Sequence, residues 1–489
     1  MGIHSKVGLA VAAALASPAA VASPGTWTPL TPAQIQVTLN IAGSSAARDM
    51  IILNMDQQLC DRNSGGTYTG GVGSGGTDTL ALYKVSGDGD LRIFTCTFKG
   101  GADGSTLPGV ITAQTNLAGK NVLIYYRSDG GSVWGLIGAL RGTQIIRADF
   151  TSTAGAANPG VPAVTNDAAA YTYGSVTGTY SITTSATVDG QVTATGSVAL
   201  DTVLLGVQDV DAANYTSSTQ WPTAIKVAGP VLSGSEVATE QASDLVTVGQ
   251  IFGVAVNKQP GFTSAAPPIA DQSLTSADIA GIFTHFYTDW SQVPSLKGSG
   301  ITGAIGICRR DIGSGSHVTI ATTFLNTGCG RGGATFTTSI PAFSGTSPLF
   351  NSSTGKELTC LNTNANGNTI GYSSYDDTAS FVSSQPNVFF LRIDGVAPGK
   401  LNAATGAYPL WEELHFLPNT TALASATQAQ NDLVNGLIQL FQNQPAPSAA
   451  STISLSETGV NTAVDPPVAP NWVALGGRSN TCSKLTNQH

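Results

Sequence analysis

At 489 residues the chain is long enough for two or three domains with large buried cores. Only 10% of it is charged, against a usual ~25%, so solubility rests on Ser, Thr, Asn and Gln, a profile suited to an exported protein. Lys and Arg number 21 and Asp and Glu 30, and a net charge of −9 argues against the basic face of a nucleic-acid binder.

In chain order, Lys6, the apolar run Val7 to Ala16 and the small residues Ala20-Val21-Ala22 read as a cleavable leader over residues 1–22, with no Cys at the cleavage point for a lipid anchor. No later apolar stretch is long enough to span a membrane, so the expected product is exported, periplasmic or extracellular. Val37 to Ala42 predicts a strand and Ser45 to Cys60 a helix. Asn121 to Tyr126 and Val133 to Leu140 repeat that order, and Ile301 to Cys308 with His317 to Leu325 repeat it again. Strands alternating with helices predict an α/β protein. Ser64 to Thr77 reads as a mobile Gly/Ser/Thr loop, and Thr151 to Asp201 as β-hairpins inserted into the core fold. Ala422 to Gln444 predicts one amphipathic helix whose stripe of Leu433, Val434, Leu437, Ile438 and Phe441 faces the core. The six cysteines form an even set without metal spacing. Local pairing predicts Cys60 with Cys96, Cys308 with Cys329, and Cys360 with Cys482.

The three strand-to-helix junctions share one grammar: Gly43-Ser44-Ser45, Ser128-Asp129-Gly130-Gly131-Ser132 and Gly313-Ser314-Gly315-Ser316. A helix N-terminus presents unpaired backbone N–H groups, and Gly and Ser let an anion approach while adding hydroxyl donors. Any one junction is weak evidence, because Ser before a helix is more often a plain N-cap. Three in one chain, with Arg127, Arg309 and Arg310 close by, point to an oxyanion site in which an Arg fork holds two oxygens.

The segment Ile305-Gly-Ile-Cys-Arg-Arg-Asp-Ile-Gly-Ser-Gly-Ser316 resembles the Arg-x-Asp-Gly-Ser-Gly-Thr segment of the phosphate-binding proteins of ABC transporters, members of the type II periplasmic-binding-protein fold. Asn40 to Ser45 is similar to that family's opening strand and anion loop, Ser128 to Gly131 to its second loop, and Gly206 to Asp211 to the segment with its ligand-facing Asp. Phe252 to Asn257 resembles its first interdomain crossover, Leu274 to Phe283 with Trp290 the helix that follows, and Gly371-Tyr372 and Gly406 to Leu410 later landmarks. The resemblance, spread over residues 37 to 412, implies two discontinuous α/β lobes with added β-rich insertions and an anion between them. Lobe one would run over residues 23–255 and return over 385–489, and lobe two would run over 256–384. The implied ligands are Ser44, Ser45, Ser128, Asp209, Ser314, Gly315 and Ser316, with Arg127 and Ser132 as secondary candidates. The Arg is open: counting back from Ser314 selects Arg310, whereas the Arg-x-Asp spacing selects Arg309. Gln208 stands where the family commonly has Ser, and Ser316 replaces its Thr. The implied partners are phosphate or a similar oxyanion and a transporter permease; no cofactor and no catalytic residue is expected.

Other motifs read plainly. Gly328 to Gly333 matches GxGxxG but reads as a disulfide-pinned turn. His285, His317, His415 and His489 have no zinc spacing, and His317 reads as a surface or helix-capping residue. Glu412 and Glu413 are neighbours that an extended strand would point to opposite faces. No GxSxG elbow or Walker A occurs. The leading expectation is an oxyanion-binding protein. Its alternatives are a secreted surface or assembly protein that has lost the anion site, and an extracellular phosphatase or other hydrolase.

Overall fold

The computed structural model describes residues 30–61, 81–100, 106–128, 131–149, 193–216, 230–327, 350–363 and 368–443, apart from 31, 86, 87, 113, 244, 352 and 378, with short strands at 164–165, 172–173, 180–184 and 452–454. The chain opens with β1 (Val37–Gly43) and α1 (Ser45–Asn54), which runs on as a π-turn over Met55–Leu59. β2 (Ala81–Val85) and β3 (Asp88–Thr97) pair antiparallel, and the short α2 (Gln114–Leu117), β4 (Asn121–Arg127) and α3 (Ser132–Arg141) follow. Next come β5 (Gln144–Asp149), β6 (Val164–Thr165), β7 (Thr172–Tyr173), β8 (Tyr180–Thr184) and β9 (Thr193–Thr202). They are joined antiparallel as β6 to β7, β8 to β9 and β9 to β5, so the described residues of the inserted region form β-pairs, as its alternating sequence predicts.

β10 (Leu205–Gln208) returns to the core, α4 (Gly234–Ser243) packs against the first lobe, and the long β11 (Leu245–Asn257) leaves it. Residues of β11 up to Ile251 pair with β18 (Trp411–Pro418), whereas Phe252 onward pairs with β16 (Thr369–Ser374) and β17 (Val388–Ile393), so one strand crosses between two sheets. The second sheet runs β13 (Gly306–Ile307), β16, β11, β17, β12 (Ile269–Leu274), and the first runs β11, β18, β10, β1, β4, β3. Each lobe has its own core. One cluster gathers Phe252, Ile282, Trp290, Tyr372 and Phe390, and the first sheet is covered on one face by Leu39, Ile51 and Leu437 and on the other by Trp134, Ile137 and Tyr215. This is the two-lobed α/β fold that the resemblance implies. The chain re-enters the first sheet with β18, after β17 has paired with β11 and β12, so the return falls later than residue 385. Phe389 to Ile393 is an apolar run that suits either sheet, and only its hydrogen-bond partners decide between them.

The remaining elements are α5 (Ser276–Phe283), β14 (Arg309–Arg310), α6 (Gly315–Phe324), β15 (Phe350–Asn351), α7 (Thr354–Thr363), α8 (Ala379–Ser384), α9 (Lys400–Ala404), α10 (Thr420–Leu423), α11 (Gln428–Asn443) and β19 (Thr452–Ser454). Three expectations need correction. The helix expected from Ala422 to Gln444 is broken. Asn419 caps α10 by accepting the Ala422 N–H, and Thr427 and Gln430 form a reciprocal capping pair that starts α11 afresh. Its apolar stripe is buried in the first lobe's core, as expected. The strand expected over Ile301 to Cys308 is confined to Gly306–Ile307.

Cys60 bonds Cys96, as expected, but Cys308 bonds Cys360 rather than Cys329, so Cys360 is not available to Cys482. The reason is spatial: α7 packs on β16, β16 pairs with β13, and Cys360 thereby comes to a Cα separation of 6.0 Å from Cys308. Cys329 and Cys482, the leader, the Ser64 to Thr77 loop and the Gly328 to Gly333 turn lie outside the described residues. Among the described residues, no helix is long and apolar enough to cross a membrane.

Candidate functional site

β1 lies between β4 and β10, parallel to both, so the connections leaving it diverge to either side. In open α/β sheets such a switch point opens a crevice at the carboxyl ends of the strands. Ser44 follows β1 and Asp209 follows β10 at that place. Gly43, at φ 134°, ends β1 where a Cβ would overlap the Val207 carbonyl, and Ser44 N–H donates to that carbonyl at 2.9 Å. Ser44 Oγ accepts from Ala46 and Ala47 N–H, both at 3.2 Å, capping α1, and donates to Asp209 Oδ2 at 2.8 Å.

The second and third loops close on the same carboxylate. Ser132, the first residue of α3, donates its hydroxyl to Asp209 Oδ1 and accepts the Asp209 N–H at 3.3 Å. Gly131, at φ 73°, lets α3 approach the third loop, where a Cβ would stand 2.7 Å from Ser314 Cα. Gly313 carbonyl accepts from Val133 N–H at 3.2 Å and from Tyr215 hydroxyl at 2.9 Å, so the loops of the two lobes meet directly. Asp209 lies against the Gly315 Cα, where any Cβ would overlap Oδ1. Ser314 and Ser316 hydroxyls are 2.9 Å apart at the start of α6. Burial raises the Asp209 carboxyl above its ordinary range, opposed by the hydrogen bonds from Ser132, Ser44 and its own N–H and by the charge of Arg310.

Arg310 donates through Nε to Asn351 carbonyl at 3.0 Å and through Nη1 to Thr354 Oγ1 at 3.0 Å. Thr354 Oγ1 is in turn 3.0 Å from Ser45 Oγ, and Thr354 N–H donates to Ser45 Oγ at 3.3 Å, so Thr354 bridges Arg310 to the first lobe's opening loop. Neighbours on a strand point to opposite faces, and the charge felt at Asp209 and Tyr215 is that of Arg310, not Arg309. Both Arg309 and Arg310 act on His317 and Tyr372. His317 is not a surface or capping residue: it is buried in α6, with Nδ1 2.8 Å from the Tyr372 hydroxyl. Burial, then Arg309 and Arg310, hold its imidazole well below the ordinary value, in the neutral form. Glu357 Oε1 accepts the Tyr372 N–H at 3.1 Å, and burial pushes its carboxyl up to about 8.

The structure thus brings Ser44, Ser45, Ser132, Asp209, Arg310, Ser314, Gly315 and Ser316 together. Ser128 is buried and accepts from Arg48 Nη1 at 2.9 Å, and Arg127 is buried at the end of β4. Gln208 turns away from the crevice and donates to Glu240. Thr354 and Tyr215 escaped the sequence reading, which marked Tyr372 as a landmark without giving it a place at the site. Only Thr354 left a signal, a hydroxyl residue opening a helix. Among the described residues no group of His, Cys, Asp and Glu could hold a metal ion.

No protein-family model matches this chain. It is similar to Alkaline phosphatase L of Pseudomonas aeruginosa, at 33% identity over 174 residues, which is 32% of this chain and 43% of that protein. The chain therefore matches less than half the length of that relative. Among solved structures it is similar to a putative phosphate ABC transporter substrate-binding protein with bound phosphate from Clostridium perfringens, at 12% identity over 85% of this chain and 99% of the other, with a TM-score of 0.43. PstS from Borrelia burgdorferi is 12% identical over 82% and 97%, with a TM-score of 0.30. An ABC-type phosphate transport receptor from Vibrio cholerae is 17% identical over 48% and 74%, with a TM-score of 0.29.

Proposed function

We propose that the protein is an exported solute-binding protein that holds phosphate, or another oxyanion carrying a proton, between its two lobes. The observation that carries this reading is the convergence on Asp209 of Ser44, Ser132 and Gly315, which stand at the starts of three helices, with the Arg310 charge acting on the same carboxylate. Helix N-termini, hydroxyls and a guanidinium are the donors that a tetrahedral anion takes. An acceptor carboxylate among them disfavours an anion without a proton, because two facing acceptors leave each other unsatisfied. In this reading Ser45, Ser132, Ser314, Gly315 and Ser316 supply donors, Ser44 holds Asp209 in place through its hydroxyl, Arg310 supplies charge, and Asp209 accepts the ligand's proton. Lobe closure would carry the anion to a membrane permease. The test is calorimetric titration of the chain from residue 23 with phosphate and with sulfate. Saturable phosphate binding with weak or absent sulfate binding supports it, and equal binding of the two defeats it.

A second reading, phosphomonoester hydrolysis, is favoured by the partial similarity to Alkaline phosphatase L. The same cradle would hold the phosphoryl group of an ester, and hydrolysis of p-nitrophenyl phosphate that disappears with Asp209→Asn and Ser44→Ala would favour it over transport.

A further inference from the structure

At the opposite end of the first sheet lies a half-open cavity of about 620 Å³. It forms where the start of β1, the C-terminal end of α3, the β9–β10 connection and the turn between α10 and α11 meet. Thr38 and Asn40 of its wall stand six and four residues before Ser44, roughly 13–20 Å back along the strand, so this space is separate from the oxyanion crevice.

Its walls are built and held. Asn419 donates to the Gly138 and Val203 carbonyls at 3.2 and 2.9 Å while its oxygen caps α10, and Gln430 donates to the Thr38 carbonyl at 2.9 Å. Asn40 differs from both: it is 4% exposed, it lines the cavity, and its side-chain oxygen is buried without a hydrogen-bond partner. The remaining polar lining is mostly hydroxyl, from Thr38, Thr202, Thr421 and Ser425, and Leu140, Leu204, Ala422 and Ala426 add an apolar side.

The charge balance disfavours a second anion site. Arg141 is engaged by both oxygens of Glu236, at 2.5 and 3.0 Å, and that bond, the largest influence, holds the Glu236 carboxyl down at about 2. Asp201 places an acidic side chain in the wall. Neutral amides and hydroxyls both donate and accept, which matches a ligand with many hydroxyl groups. A volume within the usual ~300–1,000 Å³ of small-molecule sites fits one or two sugar rings. We propose that this cavity binds a neutral polyhydroxylated solute of mono- or disaccharide size, with the Asn40 amide bonding one of its hydroxyls and the Leu140 and Leu204 side taking a C–H face.

The test is calorimetry and saturation-transfer NMR on the full chain with glucose, inositol, sucrose and maltose. The expected result is saturable binding of at least one, weakened at least tenfold by Asn40→Leu and by Ala426→Trp, and unchanged by Asp209→Asn or by saturating phosphate. Ala426 is half-buried at the cavity wall, so its replacement tests the site even if the buried Asn40→Leu change disturbs folding. Absence of saturable binding of all four probes, binding that survives Ala426→Trp, or competition by phosphate overturns the proposal.

Discussion

Replacing Asp209 by Asn changes the chemistry at the centre of the proposed anion site with little change of shape. The carboxylate is gripped by Ser44 at 2.8 Å and by Ser132, whose Oγ also accepts the Asp209 N–H, beneath Gly315. An amide fits that space and turns one acceptor into a donor. Two unit charges 4 Å apart at an effective dielectric of 20 interact by about 4 kcal/mol, so loss of the Asp209 charge favours sulfate by that order, or about a thousandfold. A new N–H donor to the anion adds to this. Phosphate gains the same relief but gives up a charge-assisted hydrogen bond worth about 1.5–3 kcal/mol, so its affinity rises by only about 1–2.5 kcal/mol, roughly five- to seventyfold, and the preference over sulfate shrinks. Titration of both proteins with both anions at pH 7, with thermal unfolding to confirm the fold, reads out the difference. The reasoning fails if Asp209→Asn keeps the full preference for phosphate, or if the unaltered protein has none.

Gly315→Ala places a methyl group on Asp209 Oδ1 and forces the carboxylate from its cradle, so phosphate binding is lost and stability falls by about 1–3 kcal/mol. Gly355→Ala meets nothing within 4 Å and serves as the control for calorimetry and urea unfolding. Thr354→Val removes the acceptor of Arg310 Nη1 and the link to Ser45, weakening phosphate binding about tenfold, whereas Thr354→Ser retains it; equal affinities for the two variants would argue against the bridge. Glu357, at about 8 when folded and 4.5 ordinarily, holds a proton in the folded state that the unfolded chain releases between those values. Its contribution to stability is therefore present below pH 4.5 and lost as pH rises to about 8. Glu357→Gln should flatten urea midpoints across that window, and an unaltered slope would contradict the assignment.

The strand-turn-helix junctions were legible because their causes are local. Hydrophobic period marks β1 and α1, and a Gly-Ser turn is written where a strand must stop and a helix must be capped, so Ser44 and Gly315 were within reach of the sequence. The alternating stretch before Asp201 likewise announced β-pairs, and the nearness of Cys60 to Cys96 matched their bond. What lay beyond it depends on residues far apart in the chain. Arg309 and Arg310 are equivalent as text, and only the folded position of β14 lets the charge of Arg310 act on Asp209 while its guanidinium bonds Asn351 and Thr354. Ser128 and Ser132 flank the same loop, yet the turn at Gly131 carries Ser132 to the carboxylate and leaves Ser128 with Arg48. Thr354 reaches Ser45 across 309 positions, and Cys308 reaches Cys360 across 52, because packing of α7 on β16 brings them together. Local free energies, caps and hydrophobic period are encoded over a few residues. The partner of a buried charge or thiol is set by the docking of whole elements, which only the folded chain decides.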